Sequence, residues 1–397
     1  MRELLAIDEA LAAVLEHAQP LPAETVSVER ALGRVLAEAA TARVDLPPFP
    51  SSAMDGFAVR AAETPATLPV AFRIPAGTPA PGPLPPRAAA AIATGGVVPE
   101  GADAIVPVEH ARELDGRVEL AERPRPGAHV RPRGGDVRAG EVVLERGTRL
   151  GAAQLGALAA AGIARVRCAR RPRAAVLATG SELRPPGEPL GPGQIYESNR
   201  VLLAAVLAGA GTEVELLPVA ADEPEAHRRA LAHGLTADVL VTTGGVSMGT
   251  LDLVRASERE LGVEEIFWGV AMKPGKPVSF GVRGATLVFG LPGNPVSALV
   301  GALLFVHPAL LARQGAAEPG PVFELGRLGA SLQRNASRDE LVRARRRRGE
   351  NGVVLEPVAG QESHMIVRAA AADALALVPR GEGEIPAGAP VRYLPLA

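Results

Sequence analysis

The chain has 397 residues, room for several domains, and carries 42 Lys and Arg against 44 Asp and Glu, a formal net charge of −2. Near-neutrality argues against a general polyanion binder, and one Trp, two Tyr and eight Phe leave little ring surface for stacking bases, so nucleic acid is not expected as a partner. Cys168 is the lone cysteine, which excludes an intramolecular disulfide and a cysteine-built metal site, and the seven scattered His residues show no zinc spacing.

The opening MRELLAIDEALAAVLEHA reads as an amphipathic helix over 1–20. Its acids at Glu3, Asp8 and Glu9 argue against a signal peptide and for a cytoplasmic protein. A second short helix is expected over 29–40. In VDLPPFPSSAMDGFAVR (44–60), Pro47, Pro48 and Pro50 forbid helix, and the serines with Asp55-Gly56 make a turn. Phe49, Met54 and Phe57 would anchor that loop. Asp55 then reads either as a presented site acid or as the side chain of an Asx-turn. Residues 65–150 are rich in Pro and Gly, with short alternating runs such as VAFRI and RVELAE, which suggests a small β-barrel or sandwich. PAPGPLPPR is expected to be a stiff connection. This region supplies Thr94-Gly95-Gly96 and, in RPRGGDVRAG, Asp136. Helix returns over 150–164, so the β region is flanked by helix and reads as an insertion into another domain.

Residues 171–312 alternate strand and helix. Strands are expected at 174–179, 214–219, 238–243, 278–282 and 286–290, with helices over 198–208, from 225, and from 295 to 306; this is the pattern of a doubly wound α/β domain. The strand-like ADVLVTTGG, AAVLATG and TLVFGLPGNP each run into glycine. One such turn is a common connection, whereas three in one domain describe a ligand crevice at strand ends. That places Gly244, Gly245, Ser247, Gly293, Asn294 and Pro295 among the binding residues. Residues 284–312 lack charge and could span a bilayer by length, but the Pro292-Gly293-Asn294-Pro295 break speaks for a buried strand, a loop and a buried helix, not a membrane span. Residues 318–397 show a hairpin across 349–352 and a closing strand in PAGAPVRYLPL, hence a small β domain. The basic run 345–348 reads as a solvated strand face.

Lys273 and Lys276 lie in AMKPGKPVSFG, where two prolines and Gly275 keep the like charges near each other, a setting for phosphate or another oxyanion. Glu182 follows a glycine-ended strand at the crevice mouth. Asp222 has a competing reading as part of a capping box, DEPE, and Asp252 one as an N-cap. Three acids beside a phosphate cradle make sense if Mg²⁺ bridges protein and phosphate.

The motifs SSAMDGFAVR, ATGGVVPEGADAIVPVE, RGGDV, ATGSEL, QIYESNR, TTGGVSMGTLD, KPGKPVSFG, LPGNPVSA and ESHMIV occur in the order and spacing of the MoeA family, and the whole chain resembles it. Phe57, Gly96 and Thr243 depart from the Tyr, Ala and Ser usual in that family. The resemblance implies a multidomain α/β plus β architecture: a central α/β molybdopterin-binding domain over 171–315, a discontinuous N-terminal linking domain over 1–50 and 133–170, an inserted small β domain over 51–132, and a C-terminal β-barrel-like domain over 316–397. It implies an elongated homodimer with the site at the subunit interface. The implied reaction is a transfer: molybdate enters the dithiolene of adenylylated molybdopterin, AMP leaves, and Mg²⁺ assists. Residue by residue it implies site roles for Asp55, Thr94, Asp136, Glu182, Asp222, Asp252, Lys273 and Lys276, with Glu182, Asp222 and Asp252 on the metal. Pro277, Ser297, Arg343 and Ser363 would line the molybdate pocket. A contact with the molybdopterin adenylyltransferase is a further expected partnership. Two alternatives stand beside this reading: that adenylyltransferase itself, which resembles 171–312 alone, and a non-enzymatic scaffold of the gephyrin kind.

Overall fold

The computed structural model describes residues 4–220, 223–244, 251–350 and 352–396, with the side chains of 251–253 excepted. Its centre is a six-stranded sheet in the order Glu213–Leu216, Arg173–Thr179, Val239–Gly244, Thr286–Leu291, Ser279–Arg283, Glu264–Trp268. The first four strands are parallel and the last two antiparallel. Period-two alternation divides the buried side chains between two cores. Val176, Val239, Val241 and Phe289 join one with Leu203 and Leu207 of helix Asn199–Gly209, while Leu177, Leu240 and Val288 join another with Leu231 of helix Pro224–Gly234. From Arg173–Thr179 the chain crosses to one neighbour, Glu213–Leu216, then returns past it to Val239–Gly244 on the other side. That reversal opens a cleft at the carboxyl ends of Arg173–Thr179 and Val239–Gly244.

The apolar stretch after Pro295 is one helix through Arg313, longer than the sequence suggests, and 72% of its most apolar window is buried against the α/β core. Pro308 cannot donate to the carbonyl four residues back, and the turn before it, Ala302–Val306, is a π segment that widens the helix there. Helix Ile7–His17 places Ile7, Ala10 and Val14 in the same core, so the N-terminal helix packs with the α/β domain and not with the linking domain expected for 1–50.

The linking region joins two distant stretches. Ala23–Ser27 pairs with Arg165–Ala169, Ala40–Thr41 pairs with Val142–Leu144, and Val28, Leu36, Leu150, Leu158 and Val166 share a core with helix Ala152–Ala160. No helix forms over 29–40: only Val28–Arg30 make a 3₁₀ turn, after which Gly33 takes φ +74° and Val35 and Leu36 bridge to Arg149 and Cys168. Between these stretches sits an open sheet in the order Ala104–Pro107, Gly56–Val59, Ala89–Ile92, Ala66–Ile74, Arg117–Leu120, Ala111–Leu114. A side chain at Gly56 would lie 2.1 Å from the Val106 carbonyl oxygen, so the strand after Asp55 approaches its neighbour as only glycine can.

The C-terminal region closes into a barrel. Asp339–Gly349 pairs with Gly352–Pro357 on one side and Ala374–Val378 on the other. Glu324–Leu328 pairs with Gly352–Pro357 and with Pro390–Pro395, which also pairs with Ala374–Val378 and so removes both free edges. The hairpin turns between Gly349 and Gly352, as its sequence suggests.

Asp238, at the foot of the Val239–Gly244 strand, ties three elements together. It accepts from the Arg170 guanidinium at 2.7 and 2.6 Å and from the Arg173 N–H at 2.8 Å, and lies 3.7 Å from the nearly buried Arg313. Burial pushes its pKa up, but the Arg170 hydrogen bonds, the Arg173 N–H and the two guanidinium charges together outweigh burial and hold the pKa below the ordinary value. Asp238→Asn is expected to cost about 2–3 kcal/mol, less than in a fully buried pair because Arg170 is partly solvated. In wild type this contribution is complete above the unfolded carboxyl pKa, about 3.9, and lost as pH falls through the lower folded value. Thermal melts of both proteins at pH 7 check the first point; equal midpoints contradict it.

Candidate active site

The carboxyl ends of the parallel strands, the helix start at Pro295 and a loop of the C-terminal region enclose a crevice of about 1230 Å³. That exceeds the roughly 300–1,000 Å³ of a site for one drug-sized ligand, so it admits something longer. The two regions are joined where Met272–Lys273 runs parallel to Asp339–Glu340, and Lys273 Nζ donates to Glu340 at 3.0 Å. Asn294 Nδ2 donates to Ser363 Oγ at 2.8 Å, and the Val296 N–H to the Ser363 carbonyl at 3.1 Å.

Each wall has a local cause. Gly244 has φ +94°, and a side chain there would meet the Thr179 carbonyl oxygen at 2.3 Å, so glycine alone lets the two strand ends close up. At the helix start Pro295 has no N–H, Val296 and Ala298 have used theirs, and Ser297 keeps the first-turn N–H with no backbone acceptor among the described residues. Such a donor at the positive end of a helix suits an anion. Lys273, Lys276 and Arg338 supply the crevice's long cationic side chains. Lys273 is half-exposed and already paired with Glu340, whereas Lys276 and Arg338 have no ion pair among the described residues.

The structure therefore brings Glu182, Gly244, Lys273, Lys276, Pro277, Gly293, Asn294, Pro295, Ser297 and Ser363 to one crevice. Asp222, Gly245 and Ser247 fall outside the described residues, as does the side chain of Asp252. Helix Pro224–Gly234 has Glu223 as its N-cap with no side-chain cap bond, and the capping role expected of Asp222 lies outside the described residues. Asp55 and Thr94 form a unit of their own on the small sheet. Asp55 Oδ1 accepts from the Thr94 N–H at 2.7 Å and from Thr94 Oγ1 at 3.1 Å, a contact between distant stretches in place of a local Asx-turn. Asp136 is exposed on the linking region, its N–H on the Leu46 carbonyl at 2.9 Å. Neither Asp55, Thr94 nor Asp136 lines the crevice of its own chain.

Arg343 corrects its expected place in the molybdate pocket. It is 2% exposed, and its guanidinium donates to the carbonyls of Gly360 at 2.8 Å, Glu362 at 3.2 Å and Met365 at 3.3 Å. Gln361 reinforces it, accepting from the Arg343 N–H and donating to the Arg343 carbonyl. Burial pulls the Arg343 pKa down from its ordinary value, against the nearby Glu362 charge. Four of its five guanidinium N–H groups are taken up in shaping the loop that presents Ser363, and its side chain does not line the crevice.

Sequence reasoning missed several lining residues. Arg338 stands just before a strand whose alternation gave no hint of a crevice, on a turn in which Asn335 Oδ1 accepts the Ser337 and Arg338 N–H groups at 3.0 Å. Asn199 read as a helix start. In the structure its Nδ2 donates to Thr243 Oγ1 and to the Gly293 carbonyl, both at 2.8 Å, joining all three strand-end loops. Glu362 and His364 also reach the crevice.

Three family models match the chain: MoeA N-terminal region (domain I and II) over residues 5–162, a probable molybdopterin binding domain over 175–312, and MoeA C-terminal region (domain IV) over 326–396. The chain is 39% identical to the molybdopterin molybdenumtransferase of Haemophilus influenzae, over 79% of this chain and 78% of that one. It is 33% identical to that of Bacillus subtilis, over 99% and 94%. Among solved structures, a molybdopterin biosynthesis MoeA protein from Pyrococcus horikoshii superposes with a TM-score of 0.80 at 31% identity, covering all of both chains. From its first domain to its last, the chain belongs to the MoeA family.

Proposed function

We propose that this chain is a molybdopterin molybdenumtransferase, which transfers molybdenum from molybdate to the dithiolene of adenylylated molybdopterin as AMP is released, in the cytoplasm. The observation that carries the reading is the crevice itself: with about 1230 Å³, roomy enough for a pterin joined to a nucleotide, glycine-ended where phosphate would lie, and cationic at Lys273, Lys276 and Arg338. Molybdate is a dianion, and ammonium groups with the free Ser297 N–H give it the donors that water would otherwise supply. An adenylyltransferase would also need strand-end glycines, but the family models extend over the N-terminal and C-terminal regions as well as the central one.

We assign Mg²⁺ to the acid side of the same crevice. Among the described residues no three His, Cys, Asp or Glu side chains converge. Glu182, however, lies on the wall with no cationic partner among them, an oxygen donor of the kind a hard cation takes. Asp222 and Asp252 would complete the set. The ion would neutralise phosphate oxygens. Glu182 would hold it, while Lys276 and Arg338 orient the oxyanion.

We further propose that Asp55 and Thr94 complete the crevice of a second copy in a homodimer. Their exposed carboxylate–hydroxyl unit is preformed, yet it does not line the described crevice of its own chain. A contact with the adenylyltransferase that makes the adenylylated substrate would follow from the need to hand it over.

Molybdate-dependent AMP release from adenylylated molybdopterin tests the charges. Lys276→Ala is expected to raise half-saturating molybdate by about 1.5–3 kcal/mol, roughly tenfold or more, and Lys273→Ala by less, because Glu340 already neutralises it. Unchanged molybdate dependence in both variants contradicts the oxyanion seat. Glu182→Gln should lose activity that added Mg²⁺ partly restores; indifference to Mg²⁺ removes Glu182 from the metal.

The dimer is tested by mixing. If Asp55 serves the other copy, Asp55→Ala and Glu182→Ala chains, each inactive, form hybrids with one intact site and one doubly defective site. Random mixing then returns about a quarter of wild-type activity. Co-expression with two affinity tags verifies that hybrids form, and hybrids without activity place both residues in one chain's site.

A further inference from the structure

We infer that Glu340 is a positioning residue of the crevice. Its carboxylate holds Lys273 and, through Asn335, the turn that carries Arg338, and it tempers their charge, so that it sets how tightly molybdate is bound. The role rests on the proposed function above. Glu340 does not itself line the crevice; it stands behind two residues that do. Its Oε1 accepts from Lys273 Nζ at 3.0 Å and from Asn335 Nδ2 at 3.3 Å. The turn fixes which end of the Asn335 amide faces Glu340. Asn335 Oδ1 accepts the N–H groups of Ser337 and Arg338, both at 3.0 Å, and since a backbone N–H only donates, the NH₂ end is the one left for the carboxylate. One carboxylate oxygen thus ties a lysine of the α/β domain to the turn that presents an arginine of the barrel.

The two domains are joined without this carboxylate. Met272–Lys273 pairs in register with Asp339–Glu340, and the Asp339 N–H donates to the Ala271 carbonyl at 2.9 Å. Asp339 Oδ1 in turn accepts the Arg380 N–H at 2.8 Å. The Lys273 side chain is 48% exposed and that of Glu340 18%, and a solvated ion pair adds little to stability.

What the pair does change is the field in the crevice. Lys273, Lys276 and Arg338 supply positive charge, while Glu182, Glu197 and Glu362 are the acids of the lining, with Glu197 engaged by Arg200. Glu340 opposes the attraction of Lys273 for an oxyanion, without entering the crevice. Molybdenum has to leave its seat for the dithiolene. A seat that holds free molybdate too tightly deepens the ground state without helping the transfer.

Glu340→Gln and Glu340→Asp separate charge from shape. Glutamine keeps the length and an oxygen that both donors can reach, but loses the charge. Aspartate keeps the charge and is one methylene short. Molybdate binding to the full-length proteins is measured by calorimetry. The glutamine variant should bind molybdate about tenfold more tightly than wild type, and the aspartate variant should stay within about threefold of it. A residue that merely staples the domains gives the reverse order, wild-type binding with glutamine and weakened binding with aspartate. That result overturns the role, as does equal binding by all three proteins. In AMP release from adenylylated molybdopterin, the glutamine variant should be half-saturated at about tenfold less molybdate and turn over no faster. If the glutamine variant does not fold, Glu340→Asn set against Glu340→Asp repeats the comparison at equal reach, with the asparagine variant expected to bind more tightly. A wild-type protein that releases no AMP while the tenfold binding difference persists overturns the reaction and leaves Glu340 behind an oxyanion seat. A wild-type protein that binds no molybdate overturns both.

Discussion

The short strand Met272–Lys273 runs beside the start of Asp339–Gly349 and binds the α/β sheet to the C-terminal barrel. Without that pairing the carboxyl edge of the sheet would be an open shelf with glycines on it. With it, Lys273 is pinned against Glu340, Ser363 is brought to Asn294, and the shelf becomes a walled crevice. The Arg343 guanidinium acts from behind, gathering the carbonyls of the loop that carries Ser363. Ligand binding in this chain thus depends on an interface between domains as much as on the strand-end loops themselves.

The crevice divides chemically along its length. Toward the barrel it is cationic, with Arg338 and the two lysines. Glu340 moderates one of them, so Lys273 does not face the crevice as a bare charge. Toward the sheet it carries the acids Glu182 and Glu197 among neutral groups, where Gly244 draws two strand ends together and the Asn199 amide ties strand-end loops together. The first turn of the helix beginning at Pro295 adds an N–H at the boundary between the two parts.

The sequence made the α/β alternation plain, because strands buried on both faces leave uninterrupted apolar runs and the glycines mark their ends. It also made the barrel's hairpin and closing strand legible through turn residues. It misled where local propensity met tertiary context. Over 29–40 the helix-like composition yields to bridges with Arg149 and Cys168, and Ile7–His17, an amphipathic helix that the resemblance assigns to the linking domain, completes the α/β core. In the site, residues on glycine and proline loops were found from their motifs. Arg343 was placed in the molybdate pocket by the family resemblance, yet its guanidinium is turned to the Gln361 side chain and three backbone carbonyls, and nothing local in the sequence announces that. Arg338, Asn199 and Thr179 escaped notice for the same reason: a charged residue before a strand, a helix start and a strand end acquire meaning only when another domain or loop closes over them.

Diffraction from crystals soaked in molybdate, collected with anomalous signal at the molybdenum edge, shows where the oxyanion sits. One dominant molybdenum peak is expected inside the crevice, bounded by Lys273, Lys276, Arg338 and the start of the Pro295 helix, and lost in crystals of a Lys276→Ala protein. A dominant peak elsewhere, or one in the crevice that survives loss of Lys276, would contradict it.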